Sequence, residues 1–290
     1  RRQRQMCIRD RTLISSYSSQ QSVDQFQNTS DVSSTLRGLL IAQFFGAFND
    51  NAWKLMVALL AIKQLASQIG AGAEYESAAQ VQTTITFVVF TVPLVVVSIF
   101  AGVFADRFSK RLVIVGTKAL EVALMGLGTT ALFLNPEGGL LPLIVLAAMA
   151  VQSALFSPAK YGILPELLPH EQLSAGNGQL ELWTFFAIIG GTAMGGIFLQ
   201  VSGASPWLAG FVLLLFSIVG FVSSLSIPYV APARAKGGLR DTLQGAWDAV
   251  QSIRVLRLGI LGNIAYWTCL LYTSDAADER SSVDLGGRRI

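Results

Sequence analysis

Residues 102–111 read GVFADRFSKR and join two long apolar runs, at about 80–105 and 112–134. Each run is close to the roughly 20 residues that a membrane-spanning α-helix needs. The join is short, and it carries one acidic and three basic residues. We therefore predict two membrane helices connected by a short, basic turn.

Further apolar runs flank this pair on both sides. They lie at about 37–65, 139–159, 174–200 and 206–227, and a seventh begins near Leu258. Six long runs in succession favour a polytopic, all-α membrane protein over a soluble helical bundle. We expect a six-helix transmembrane bundle at residues 36–228 and the start of a seventh transmembrane helix at residues 258–268.

The composition points to the same class of protein. Of the 290 residues, 52% are hydrophobic and 13% are charged, about half of the roughly 25% charged residues typical of soluble domains. One histidine and two cysteines are too few for a multi-histidine metal centre or a disulfide scaffold. The sequence shows no nucleophile–base pair and no glycine-rich phosphate loop after a strand. We therefore expect a chain that is not itself an enzyme and that holds no metal or cofactor.

The two ends of the chain share an unusual feature at the level of DNA. Residues 5–10 and 269–274 can be encoded by opposite strands of one segment, TGTCTCTTATACACATCT, which resembles the transposon-end adapter of sequencing libraries. We therefore expect residues 1–11 and 269–290 to be adapter sequence rather than protein sequence. Without these segments the remaining chain is electrically neutral and contains no cysteine.

Basic residues are sorted between alternate connections. The connection after the second run carries three Lys or Arg residues, and the one after the sixth run carries five. The other connections, at residues 66–79, 135–138 and 201–205, carry none. Since an excess of Lys and Arg marks the cytoplasmic side, we predict that the N-terminus and the basic connections are cytoplasmic.

Two polar segments border the predicted bundle. Residues 12–35 are rich in Ser and Gln and lack apolar periodicity, which predicts a flexible cytoplasmic tail. Residues 229–257 predict a cytoplasmic linker, and from Leu239 onward its apolar residues recur at helical spacing. This amphipathic helix either lies at the membrane surface or packs on the protein as an ordinary linker helix.

The first apolar run contains polar residues near its middle. Asn49, Asp50 and Asn51 follow Arg37 by about 13 residues, or roughly 20 Å along a helix. Lys54 lies four residues after Asp50, so the two can pair on one helix face. Ionisable residues within membrane spans are by default candidate functional sites. The cluster is either a structural ion pair or a site for a cation or a polar headgroup.

Other spans carry further charged residues. Lys118 and Glu121 lie in the third run, and Asn177 and Glu181 lie in the fifth. These residues either line one polar cavity or include a fixed pair, Lys118 with Glu181 or Lys118 with Glu121. Lys160 lies at the cytoplasmic end of the fourth run, as a snorkelling lysine or as a phosphate-attracting cation.

Several motifs together resemble a known family. The turn at residues 102–111 resembles the signature between spans two and three of the major facilitator superfamily. The signature residues are Gly102, Asp106, Arg107, Lys110 and Arg111. Three further stretches, at residues 43–51, 157–166 and 177–181, are similar to the lysophospholipid transporter family. The Lys118–Glu121 pair is more similar to the members that are fused to a glycerophospholipid acyltransferase.

The resemblance implies a fold, an activity and a location. It implies the N-terminal half of a twelve-span transporter in a bacterial inner membrane, which moves lysophospholipid between leaflets for reacylation. An acyltransferase, fused or associated, is then an implied partner, and a coupling cation is another. Asp50 matches the acidic position in the family's first span. Asp106 is expected to cap the following helix and to gate the cytoplasmic side. Ser109 departs from the family's usual glycine.

Two other functions stay open from the sequence. One is a proton-coupled exporter of small solutes from the same superfamily, with Asp50 or Glu181 as the proton site. The other is a membrane anchor for a downstream acyltransferase that transports nothing itself.

Overall fold

The computed structural model describes residues 2–69, 73–231, 239–266 and 269. Within this part of the chain the secondary structure is helical, without strands. The α-helices are α1 (Arg2–Ile69), α2 (Ala73–Arg107), α3 (Lys110–Leu134), α4 (Leu140–Gly162), α5 (Leu164–Leu167), α6 (Leu173–Ser202), α7 (Trp207–Leu225) and α8 (Leu239–Ser252), with a 3₁₀ turn at His170–Gln172. The predicted all-α class is confirmed.

Five helical segments of the described chain are long and apolar enough to cross a membrane. They are Tyr75–Arg107, Lys110–Leu134, Leu140–Leu167, His170–Ser202 and Trp207–Leu225. They contain five of the six predicted runs. The first predicted run lies in α1, which does not meet the same measure because Asn49, Asp50, Asn51 and Lys54 interrupt its apolar sequence. The chain is therefore a multi-pass membrane protein.

Helix α1 contacts each of the other long helices in this bundle, and its largest contact is with α6. The largest of the other contacts pair α2 with α4, and α3 with both α4 and α7. Two apolar clusters fill the interior. One surrounds Trp53 and Met56 of α1, and the other surrounds Leu36 and Leu39, about four to six turns earlier in the same helix. Asn49 and Asp50 lie between Leu39 and Trp53 along α1.

Close helix approach depends on glycine at particular positions. A Cβ on Gly195 of α6 would lie 2.7 Å from the carbonyl oxygen of Ala52, and one on Gly191 would meet the carbonyl oxygen of Phe48. A Cβ on Gly128 of α3 would lie 2.7 Å from the buried indole of Trp53. Helices α6 and α3 can therefore reach α1 only because these positions lack a side chain.

The N-terminal part of α1 differs from the sequence expectation in its backbone. Residues 12–35 are helical, whereas their composition predicts a flexible tail. Among the side chains described, Val32 is already buried in the cluster that contains Leu36. The packed part of α1 therefore begins at least as early as Val32, before the apolar run that predicts the helix. Mobility and a cytoplasmic location of this segment stay predictions.

The described residues from Leu239 onward belong to a second compact unit. Helix α8 begins at Leu239, where the amphipathic pattern begins, and a second helical stretch covers residues 254–266. Trp247 and Ile253 are exposed. The prediction of a seventh span lies only partly within the described chain, since residues 267 and 268 lie outside it. The same is true of the adapter-like segment, of which only Cys269 is described.

Candidate functional site

A cavity of about 300 Å³ opens among α1, α2, α3, α4 and α6. Its wall includes five of the nine residues that the sequence singles out as a substrate or ion site: Asp50, Asn51, Lys54, Lys118 and Lys160. These five residues come from three helices, α1, α3 and α4, so the bundle brings together groups that are distant in the sequence. Below, this space is called the cavity.

Asp50 is the carboxylate at the wall of the cavity, and it is only 8% exposed. Ser153 of α4 donates a hydrogen bond to Asp50 Oδ2. Asp50 Oδ1 is buried and has no hydrogen-bond partner in the described structure. A buried acceptor without a partner is costly, so this oxygen is poised to accept a hydrogen bond or a cation from a ligand.

Asn49, one residue earlier in α1, belongs to a different group. Its Nδ2 donates to Glu121 Oε1 at 3.2 Å and to the carbonyl oxygen of Leu213 at 3.1 Å. Lys118 Nζ donates to the other carboxylate oxygen of Glu121 at 2.7 Å and lies 4.7 Å from the ring centroid of Phe156. We call Asn49, Lys118 and Glu121 the Glu121 cluster.

The Glu121 cluster is closed to solvent. Lys118 and Glu121 are each 1% exposed, and Asn49 is fully buried. The structure therefore selects the Lys118–Glu121 pair, and the alternative pair of Lys118 with Glu181 is wrong. Through Asn49 and Leu213 the cluster also ties α3 to α1 and α7, which makes it a fixed link between three helices.

Lys54 does not form the salt bridge with Asp50 that the i, i+4 spacing suggests. Its ammonium bonds to Asn51 Oδ1 at 3.3 Å and lies 4.4 Å from the ring centroid of Phe90 in α2. The salt bridges of the described chain are Lys118 with Glu121 and Lys110 with Glu166. The predicted pairing fails because aromatic rings from α2 hold the ammonium while Ser153 from α4 holds the carboxylate.

Lys160 is a second ammonium at the wall of the cavity. It is 8% exposed, and its Nζ lies 4.7 Å from the ring centroid of Tyr161. The Tyr161 hydroxyl donates a hydrogen bond to Glu181 Oε1 on α6. Glu181 itself is not part of the cavity wall, and Asn177 is exposed on α6 away from it. These two residues lie outside the wall of the described cavity, and their part in a substrate or ion site stays a prediction.

Some residues of the site are absent from the sequence-based prediction. Ser153 binds Asp50, and its neighbour Gln152 is 2% exposed and also lines the cavity. Both are polar residues inside the fourth apolar run. A search limited to ionisable residues misses them, whereas a search for any polar residue within a span would have found them.

The turn between α2 and α3 is held by bonds to other parts of the bundle. Lys110 forms an ion pair with Glu166 of α5. Arg111 Nη2 donates to the carbonyl oxygen of Leu225 at 3.1 Å, at the end of α7. These two bonds attach the turn to α5 and to the C-terminal end of α7.

Asp106 does not cap α3. It lies in the last turn of α2, and the N-cap residue of α3 is Ser109. The Ser109 hydroxyl instead donates to the carbonyl oxygen of Val230 at 2.8 Å. With φ at −58°, Ser109 has a conformation that any residue adopts, so replacing the family's glycine causes no strain. The arrangement also leaves open space around Gly102.

Among the residues that line the cavity, basic groups outnumber acidic ones. Lys118 is neutralised by Glu121, whereas Asp50 faces two ammonium groups, Lys54 and Lys160, that lack a salt bridge. Unpaired buried charges are costly unless a partner neutralises them. The cavity therefore suits a ligand that carries at least one negative charge. No group of three His, Cys, Asp or Glu side chains suited to a metal ion occurs in the described ranges.

Comparisons with known proteins agree with this architecture. A family model of the major facilitator superfamily, described as transmembrane secretion effector, matches residues 59–266. No solved structure matches the chain.

Curated relatives give a closer likeness. The chain is 32% identical to a protein named lysophospholipid transporter LplT from Photorhabdus laumondii, over 70% of this chain and 45% of that protein. Proteins of the same name from Yersinia enterocolitica and Yersinia pestis are each 33% identical, over 70% and 72% of this chain and 44% and 46% of theirs. The chain thus spans a little under half the length of these relatives. It belongs to the major facilitator superfamily, and within that superfamily it is similar to the lysophospholipid transporters.

Proposed function

We propose that the protein containing this chain moves lysophospholipid across a bacterial inner membrane for reacylation. The names of the relatives support the substrate class. The observation that carries the proposal is the cavity, where Asp50 and two unpaired ammonium groups face one space inside an apolar bundle. A lysophospholipid has a charged headgroup and one acyl chain, so a small polar cavity next to lipid suits it.

In this proposal the headgroup occupies the cavity. Lys54 and Lys160 attract its phosphate, since ammonium groups bind phosphate as point charges. Asp50 Oδ1, together with Asn51, accepts a hydrogen bond from the headgroup or binds a coupling cation. The Glu121 cluster forms a fixed part of the wall. The acyl chain stays in the surrounding lipid, which explains how a cavity of about 300 Å³ suffices.

The proposed mechanism is alternating access. This bundle and a second bundle in the rest of the protein rock about the midplane, and each membrane face is exposed in turn. The turn at residues 102–111 lies on the cytoplasmic side, where Lys110 and Glu166 keep it attached to α5. An acyltransferase, fused or separate, then consumes the lysophospholipid that reaches the cytoplasmic leaflet.

A flux measurement on the complete open reading frame tests the proposal. The protein is reconstituted into proteoliposomes with labelled lysophosphatidylethanolamine in the outer leaflet, and extraction by albumin reports what remains there. We expect protein-dependent transfer of the lysophospholipid and none of a monoacylglycerol that has the same chain but lacks phosphate. Proton-coupled drug efflux without lipid transfer would support the exporter instead. Transfer by a protein truncated before any acyltransferase domain would exclude a pure membrane anchor.

Labelling of single cysteines tests the proposed orientation. The two positions are Phe108, in the basic turn, and Glu137, in a connection without Lys or Arg; both side chains are exposed. An impermeant maleimide added outside intact spheroplasts should label Glu137→Cys and spare Phe108→Cys. The reverse pattern would contradict the orientation.

A further inference from the structure

Three side chains at the edge of the cavity form a chain of contacts between α4 and α6. The ammonium of Lys160 lies over the face of Tyr161, 4.7 Å from its ring centroid. The hydroxyl of Tyr161 donates a hydrogen bond to the carboxylate of Glu181. One tyrosine therefore contacts a buried cation through its ring face and, through its hydroxyl, a carboxylate that could neutralise that cation.

We propose that Tyr161 is a positioning residue that keeps Glu181 from pairing with Lys160, so that Lys160 stays available for an anionic group of the ligand. This inference rests on the proposed function, in which Lys160 attracts the phosphate of a lysophospholipid. It assigns to Tyr161 and Glu181 a role that follows from their contacts with each other and not from contact with the ligand.

The state of Lys160 supports the need for such a residue. Its side chain is 92% buried and lines the cavity, and within the described structure it forms neither a salt bridge nor a hydrogen bond. An unpaired buried ammonium is unstable unless something compensates its charge. The face of Tyr161 compensates it in part through a cation–π contact. A ring face attracts less strongly than a carboxylate, so an incoming phosphate can displace it.

The state of Glu181 supplies the second part of the argument. Its carboxylate is only partly exposed, so its attraction to a nearby cation is screened less than it is in bulk water. The Tyr161 hydroxyl satisfies Glu181 with a charge-assisted hydrogen bond, one of the stronger kinds in proteins. While this bond holds, Glu181 is bonded to Tyr161, and it forms no salt bridge with Lys160 in the described structure.

Removal of one oxygen atom should reverse this arrangement. Tyr161→Phe keeps the ring but leaves the Glu181 carboxylate without its donor. Lys160 contacts the same tyrosine and forms no salt bridge in the described structure, so pairing with it would satisfy both groups. A ligand phosphate must now compete with Glu181 for Lys160, so affinity falls although no residue that touches the ligand has changed.

The test measures binding of radiolabelled palmitoyl lysophosphatidylethanolamine to the complete protein in detergent. We expect Tyr161→Phe to weaken binding about tenfold, the size of one competing charge pair. Adding Glu181→Gln should return affinity to within about twofold of wild type, because the amide carries no charge with which to capture Lys160. Tyr229→Phe, which removes the hydroxyl of an exposed tyrosine, is the matched control and should bind normally. Thermal unfolding of each variant checks that the protein remains folded.

The outcomes separate the inference from the function on which it rests. Lys160→Met should weaken binding at least as much as Tyr161→Phe does. Normal binding by Lys160→Met would overturn both the proposed role of Lys160 and the inference. Weak binding by Lys160→Met with normal binding by Tyr161→Phe would overturn the inference alone. So would a Tyr161→Phe defect that Glu181→Gln does not repair, because a merely structural hydrogen bond predicts that result.

Discussion

Asn49 and Asp50 are neighbours in α1, yet they belong to two polar regions with opposite properties. Asn49 faces Lys118 and Glu121, where charges are paired and each residue is at most 1% exposed. Asp50 faces the cavity, where one of its oxygens lacks a partner and two ammonium groups lack a salt bridge. Because successive helical residues point in directions about 100° apart, one helix serves both regions.

The difference shows that polar residues in a membrane bundle can be sorted by whether their charges and hydrogen-bonding groups have partners. A buried pair with its hydrogen bonds filled has no capacity left for a ligand, so it links helices. A buried acceptor without a donor, or a buried charge without a partner, destabilises the protein when no ligand is bound, and a ligand can remove that free-energy cost. Asn49 Oδ1 is also a buried acceptor without a partner in the described structure, so charge is what separates the two regions. The charges of the Glu121 cluster are paired, whereas Asp50, Lys54 and Lys160 form no salt bridge in the described structure. On this basis the Glu121 cluster is structural and the cavity around Asp50 is the proposed binding region.

The largest effect on stability should come from breaking the pair in the Glu121 cluster. Lys118→Met leaves the Glu121 carboxylate buried without its counter-charge, which should lower the free energy of unfolding by about 3 kcal/mol. Replacing both members, as Lys118→Met with Glu121→Met, should recover most of that loss because no buried charge remains. Denaturation followed by circular dichroism measures both variants. A double variant that is no more stable than Lys118→Met would contradict this account, because the loss would then not come from an unpaired buried charge.

A smaller effect should follow from filling the space beside that pair. A Cβ on Gly46 would meet Lys118 Nζ and would lie 3.3 Å from Glu121 Oε2. Gly46→Ala should therefore push the ammonium from its partner and cost about 1 kcal/mol, at the low end for overpacking because a lysine tip can shift.

The matched control for Gly46→Ala is Gly196→Ala on α6. There the nearest side-chain atom, Leu55 Cδ2, would lie 3.7 Å from the new Cβ, an ordinary contact. The control should melt at the wild-type temperature or slightly above it, since alanine is the better helix former. Equal losses in the two variants would contradict the assignment of Gly46 as the space for the Lys118 ammonium.

The smallest effect should come from the ion pair in the turn between α2 and α3. Lys110 and Glu166 remain partly open to solvent, with side chains 14% and 22% exposed. Pairs of this kind contribute about 1 kcal/mol or less and weaken with salt. Lys110→Met should thus change the unfolding free energy by less than Lys118→Met does, and high salt should narrow its difference from wild type. A loss as large as that of Lys118→Met would break the contrast between exposed and buried pairs.

Much of the fold can be predicted from the sequence, because each apolar run of membrane length predicts one helix. The Lys118–Glu121 pair can be predicted as one of two alternatives, since three residues along a helix bring side chains together. The i, i+4 spacing also places Asp50 and Lys54 on a common face of the helix. The spacing within one helix does not show whether side chains from other helices will bind these two residues instead.

The failed predictions share that cause. Asp50 and Lys54 do not pair because Asp50 accepts a hydrogen bond from Ser153 of α4 and the Lys54 ammonium lies over the ring of Phe90 of α2. Glu181 bonds to Tyr161 rather than to Lys118, which depends on how α6 packs against α4. The helical backbone at residues 12–35 and the N-cap at Ser109 likewise follow from packing and turn geometry rather than from local composition.

The most direct test of the central claim is lysophospholipid uptake by Asp50→Asn in proteoliposomes that contain equal amounts of folded, inserted protein. We expect uptake to be abolished while circular dichroism and the melting temperature stay at wild-type values, since the amide keeps the shape but loses the charge. Glu171→Gln, which changes an exposed carboxylate before α6, is the control and should transport normally. Wild-type flux through Asp50→Asn would contradict the assignment of Asp50 and the cavity as the transport site.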